Sequence, residues 1–211
     1  LQWTQANSGV SDALRGVTYA NQLFVAVGDN STILSSTDGL TWTKHEHGTS
    51  GTCTSVNYGG GLWIVTSSSL NNRLVTSATG VDWAITPADS CNNINDIAFH
   101  DSLFVAVGTI NGSGFMRTSS NGLQWKTRAT MSGWYGAVTH FNNRFIAVAG
   151  APKMALSLTG LTWTENPAGC YRDHVTGSRR IAADDNYVVA IGYSGGILHS
   201  TDGISWACDT A

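Results

Sequence analysis

The residues best equipped for chemistry crowd into one segment, "ENPAGCYRDHVTGSRR" at 165–180, which holds Tyr171, Arg172, Asp173, His174, Arg179 and Arg180. Together they offer an aromatic platform ringed by charged donors and one acceptor, a set suited to a polar ligand. A second candidate is "GWYG" at 133–136, where Trp134 and Tyr135 stand between glycines. Adjacent aromatics of this kind can stack on the C–H face of a sugar ring. In "HEH" at 45–47, strand alternation would turn His45 and His47 to the same side. Two imidazoles without a third nearby ligand make a poor metal site, so no metal is expected. Asn30-Ser31-Thr32 and Asn111-Gly112-Ser113 fit the N-glycosylation acceptor pattern and fall on equivalent loops. No Ser-His-Asp set, paired carboxylates or phosphate-binding glycine loop can be placed. No catalytic residue, enzyme activity or cofactor is therefore expected.

Composition narrows the partners. Hydrophobic residues make up 42% of the 211 and charged residues 12%, the profile of a folded chain long enough for a sizeable core. With a formal net charge of −3, nothing favours nucleic acid or an anionic membrane. Apolar runs such as "LFVAV" at 103–107 are far too short to insert in a bilayer. Four cysteines, Cys53, Cys91, Cys170 and Cys208, in a Trp-rich and charge-poor chain point to a secreted or extracytoplasmic protein with two disulfides. Their pairing is open.

The elements that must position these residues are set by a repeat. One phrase recurs five times: "STDGLTW" (36–42), "SATGVDW" (77–83), "SSNGLQW" (119–125), "SLTGLTW" (157–163) and "STDGISW" (200–206). Its tryptophans are spaced by 41, 42, 38 and 43 residues. Each copy is preceded by an apolar phrase, "LFVAVG" (23–28), "LWIVTS" (62–67), "LFVAVG" (103–108), "RFIAVA" (144–149) or "YVVAIG" (187–192). In the first copy the strands read "LRGVTYA", "QLFVAVG", "STILSS" and "LTWTKH". The second is apolar throughout, as in a strand covered on both faces, and the fourth alternates, with Leu40 and Trp42 on one side. Some forty residues per four-stranded unit is the propeller signature. The expected fold is all-β: a five-bladed β-propeller of four-stranded antiparallel blades. It forms a single domain over 1–211, with blades at about 13–47, 53–89, 94–130, 134–168 and 178–211 and an extra outer strand at 1–6.

The S-x-D-G-x-x-W phrase resembles the Asp-box, or BNR-like, repeat of sialidases, photosystem assembly factors and bacterial secreted repeat proteins. The resemblance implies a structural turn between third and fourth strands, built in the first blade by Ser36, Asp38, Gly39 and Trp42. In the last blade Ser200, Asp202, Gly203 and Trp206 take those places. Asn121, Thr79 and Thr159 replace the aspartate in the other copies, where the turn should be weaker. Sialidases of the family need three arginines, a tyrosine nucleophile and an acidic partner on a six-bladed ring. Here only Arg15 and Arg179 begin first strands at matching positions, which argues against that chemistry.

Alternating strand direction puts the Asp-box turns and the first hairpins at one face and the variable loops at the other. Function is expected on the variable loops. The predicted ligand-binding residues are Trp134, Tyr135, Tyr171, Arg172, Asp173, His174 and Arg179. The predicted role is a lectin-like, carbohydrate-binding module for a glycan or cell-surface ligand. The alternative is a scaffold or adhesion domain that binds a protein partner.

Overall fold

The computed structural model describes residues 5–48, 50–67, 73–87, 93–150, 153–167, 180–192 and 196–209. These form five sheets of four strands, each a simple antiparallel meander, and the fold is a five-bladed β-propeller. Two compact units divide the chain, Leu1–Asn92 and Asn93–Ala211. The first unit holds the first sheet, β1 (Leu14–Ala20), β2 (Leu23–Gly28), β3 (Ile33–Ser36) and β4 (Thr43–His45), and the second sheet, β5 (Cys53–Gly59), β6 (Leu62–Ser67), β7 (Arg73–Ser77) and β8 (Ala84–Pro87). The second unit begins with the third sheet, β9 (Ile94–His100), β10 (Leu103–Ile110), β11 (Ser113–Ser119) and β12 (Lys126–Ser132). Its fourth sheet is β13 (Tyr135–Phe141), β14 (Arg144–Ala149), β15 (Lys153–Ser157) and β16 (Thr164–Pro167). Its fifth is β17 (Arg180–Ala183), β18 (Val188–Ile191), β19 (Ile197–Ser200) and β20 (Ala207–Asp209).

The apolar phrases become the second strands and carry the core. Val25, Val27, Ile64, Val65, Val105, Val107, Ile146 and Val148 are all fully buried. Hydrophobic burial on both faces of these strands is what holds sheet to sheet. The first hairpins close with two residues at positive φ, such as Asn21 and Gln22, Asp101 and Ser102, and Asn142 and Asn143. That geometry matches the twist of the paired strands. In the fifth sheet a longer loop replaces it, and Asp184 Oδ1 accepts the backbone N–H groups of Asn186 and Tyr187, each at 2.8 Å.

The turn after each third strand is built from short side chains. In the first sheet Ser36 Oγ accepts Gly39 N–H at 2.9 Å and donates to Asp38 Oδ1 at 2.9 Å. Asp38 Oδ1 accepts the N–H groups of Leu40 and Thr41, both at 2.8 Å, and Trp42 Nε1 donates to Gly39 O at 3.2 Å. Asp202 does the same at 2.7 Å with Ile204 and Ser205. Asn121 holds Leu123 and Gln124 at 3.0 and 2.9 Å, while Thr79 holds Val81 and Asp82 at 3.2 and 3.1 Å. Thr159 holds Leu161 at 3.3 Å. The bonds lengthen from carboxylate to amide to hydroxyl, as acceptor strength falls.

Three expectations change. The fourth strand starts at Thr43 and not Leu40, because the Asp38 carboxylate takes the N–H groups that a ladder would need. Cys53 is a free, buried thiol, so four cysteines cannot form two disulfides within the chain. Cys208 on β20 is engaged, while Cys91 and Cys170 lie outside the described residues. Of the strand expected over 1–6, residues 5 and 6 carry no strand and the rest lie outside the described residues.

Candidate functional site

The end of the sheets opposite the aspartate turns carries the loops between second and third strands. In the first sheet these polar groups satisfy one another. Arg15 forms a fork with Asp29, Nε to Oδ1 at 2.5 Å and Nη2 to Oδ2 at 2.7 Å. Asn30 Nδ2 and Thr32 Oγ1 both donate to Asp12 at 2.7 Å. Hydrogen bonds from Thr32 and Asn30 hold the Asp12 carboxyl below its usual range, and the Arg15 fork does the same for Asp29. His47 Nε2 lies 2.8 Å from Ser31 O, and His45 Nε2 lies 2.7 Å from Ser35 Oγ. The two histidines thus have separate partners. Among the described residues no cluster of three or more His, Cys, Asp or Glu is placed to hold a metal.

In the fourth sheet the predicted aromatic pair is split. Trp134 is half-buried, its carbonyl accepting Gly150 N–H at 2.8 Å, with its indole against Gly150. Tyr135 is fully buried and cannot stack on a ligand. Its ring lies on the backbone of the third sheet, where a Cβ on Gly114 would sit 2.3 Å from Tyr135 Cδ2. Asn95 Nδ2 donates to the Tyr135 carbonyl at 2.7 Å and fixes the strand start. Burial first, then the charge of Glu165, pushes the Tyr135 hydroxyl up to about 12. That hydroxyl has no hydrogen-bond partner among the described residues. Near the same end, Lys153 Nζ reaches Ser132 Oγ at 3.0 Å and Glu165 Oε2 at 3.4 Å, joining third and fourth sheets. The site therefore has a half-open indole, a lysine, a glutamate and a serine. The remaining predicted residues, Tyr171, Arg172, Asp173, His174 and Arg179, lie outside the described residues.

At the hairpin end sequence reasoning missed a regular feature. The next-to-last residue of each of four first strands is aromatic and packs on the second strand. Tyr19 meets Phe24 at 4.4 Å, Tyr58 meets Trp63 at 4.8 Å, Phe99 meets Phe104 at 4.5 Å and His140 meets Phe145 at 5.0 Å. The signal was the aromatic just before each hairpin. His140 is also stacked on His100, with ring centroids 3.4 Å apart and planes within 9°. The Asp101 carboxylate is 3.4 Å from His100 Nε2. Burial, with His100 as a second cause, lowers the His140 pKa.

No protein-family model matches the sequence, and no curated protein sequence matches it. Solved structures do match. YCF48 bound to D1 peptide aligns over 94% of this chain and 66% of its own, just under two thirds, at 19% identity and a TM-score of 0.65. A chain of the nidogen/laminin complex aligns over 92% of this one and 78% of its own, at 10% identity and a TM-score of 0.74. The WD40 β-propeller domain of Doa1 aligns over 90% and 66%, at 11% identity and a TM-score of 0.65. Identities this low speak for the fold alone, and what they place beyond doubt is that the chain is built as a β-propeller.

Proposed function

We propose that the chain is a non-catalytic binding module that holds a peptide segment of a protein partner at the loop end of its fourth sheet. The observation that carries this reading is the split of the aromatic pair. With Tyr135 fully buried, only Trp134 of the pair keeps part of its surface open, and Lys153, paired with Glu165, reaches Ser132 two positions before it. One indole with paired opposite charges suits a peptide carrying an apolar side chain and a charge, whereas a sugar platform needs open ring faces. Two similar folds were solved in a peptide-bound form and in a protein complex, which supports the same choice. The S-x-D-G-x-x-W turns support placing the chain among Asp-box repeat proteins. Composition supports export, in which case the free Cys53 leaves one disulfide at most within the chain.

The test is a displayed peptide library and a glycan array, each probed with the wild-type chain and with Trp134→Ala. Peptides whose binding weakens about tenfold or more with Trp134→Ala are expected, a loss typical of an anchoring aromatic. Saturable glycan binding that Trp134→Ala abolishes would restore the lectin reading and overturn this one. Peptide binding indifferent to Trp134 would move the site elsewhere.

A further inference from the structure

The third sheet has a long outer strand, and the reason is local. Its second and third strands, β10 and β11, pair to their tips, Ile110 opposite Ser113, across a two-residue turn in which Asn111 and Gly112 take φ of 50° and 79°. That turn matches the twist of the strands and lets the hairpin run its full length. β11 then offers a template from Thr118 to Ser113, and β12 follows it for seven residues, Lys126–Ser132. The described parts of the other fourth strands are three or four residues long.

β12 is the last strand of its sheet, so alternate backbone N–H and C=O groups point away from β11. Among the described residues no other backbone bonds to them. Short strands, bulges and charges are the usual defences of such an edge. This one has a bulge, where Arg128 is the extra residue between Thr127 and Ala129. Beyond it, Ala129, Thr130, Met131 and Ser132 pair one for one with Met116, Phe115, Gly114 and Ser113. Those four positions form a regular edge open to a further strand.

The charges at the other end select which strand. Lys126 and Arg128 are exposed, and neither has a carboxylate partner among the described residues. Arg128 Nε donates instead to Thr118 Oγ1 at 2.7 Å. β10, β11 and β12 contain no Asp or Glu, so in a chain of net charge −3 this edge is a cationic patch. A second copy of the chain would bring the same two cations to it and no acid from its own β12. An acidic segment would neutralise both. We propose that the third sheet takes a fifth strand: an extended, acidic peptide segment that pairs its backbone with β12 and sets carboxylates beside Lys126 and Arg128. Backbone bonds supply affinity and side chains supply selection. Ser132 stands two positions before Trp134, so the inference deepens the peptide-binding reading and rests on it.

The displayed peptide library tests this when selected on the wild-type chain and on Lys126→Glu/Arg128→Glu, with Lys126→Glu alone as the milder variant should the pair fail to fold. The wild type should select acidic peptides and the double variant basic ones. A peptide selected on the wild type should bind either variant roughly tenfold more weakly, as cross-strand attraction turns to repulsion. N-methylating alternate amides of that peptide should abolish binding along one of its two edges only, because a strand meets β12 through one edge. Hydrogen exchange at 126–132 should slow in the complex. Selected peptides with no charge preference, or binding that survives methylation of both edges, overturn the proposal. If such peptides still need Trp134, the peptide-binding reading stands without it. A library that yields no binder overturns both. Binding that follows charge and methylation but ignores Trp134 upholds the β12 edge and removes only the indole from the site.

Discussion

His140 stands where the other copies have Tyr19, Tyr58 and Phe99, and this substitution of an imidazole for a neutral ring has a pH consequence. Its pKa is lowered, mainly by burial, so the unfolded chain takes up a proton more readily than the folded one. A lowered histidine pKa contributes stability above the unfolded value of 6.5, and that stability falls away as pH drops below it. The melting temperature should therefore decline below about pH 6.5, and His140→Phe should flatten this part of the profile. The Asp101 carboxylate pulls the other way, so Asp101→Asn should deepen the decline. A wild-type profile as flat as that of His140→Phe would remove the histidine stack from the account. At this scale the sequence was only partly legible. Trp134 and Tyr135 look alike as neighbours in "GWYG", yet one is half-open and the other buried. What decides between them is Gly114, twenty-one positions away in the preceding sheet, whose missing side chain makes room for the tyrosine ring.

At the scale of elements, the aspartate turn was the most legible part of the chain, because all its partners lie within a few residues. Ser36, Asp38, Gly39 and Trp42 do what their spacing implies, and the replacements weaken the turn in the order expected of their acceptors. Two tests follow from the gradation. Asp38 and Asp202 are held down to about 2 by backbone N–H bonds, against an ordinary 3.8. A depressed carboxyl contributes stability above its unfolded value and loses it as pH falls through the folded one. The turns of the first and fifth sheets should thus loosen between about pH 4 and pH 2, while the Thr79 and Thr159 turns stay indifferent. Conversely, Thr159→Asp should shorten the fourth sheet's turn bonds and stabilise the protein by about 1 kcal/mol, the usual worth of one added hydrogen bond. That corresponds to a rise of roughly 2–4 °C in Tm for a chain of this size. A lower Tm would show that the neighbouring Leu161 and Trp163 do not admit the carboxylate. The strand boundary was less legible: the alternation at Leu40 and Trp42 imitates a strand, and only the capture of two N–H groups by Asp38 shows that it is still a turn.

For the molecule as a whole, the repeat made the number of sheets and their strand order readable, since each meander is closed locally. What sequence could not give was which copies are covered. Val17 and Val56 hold the same place in their first strands, two residues before a tyrosine, but one is 64% exposed and the other 2%. Burial here is a property of the neighbour, not of the residue. The placement of one thiol adds a practical consequence. Cys53 lies 1% exposed in the seam of the first and second sheets, and burial pushes it up to about 11, so almost no thiolate exists there at neutral pH. A thiol reagent can reach it only in moments when those two sheets part. The labelling rate of the peptide that contains Cys53 is then a clock for the parting of neighbouring blades. It is read in the native chain, with no probe introduced.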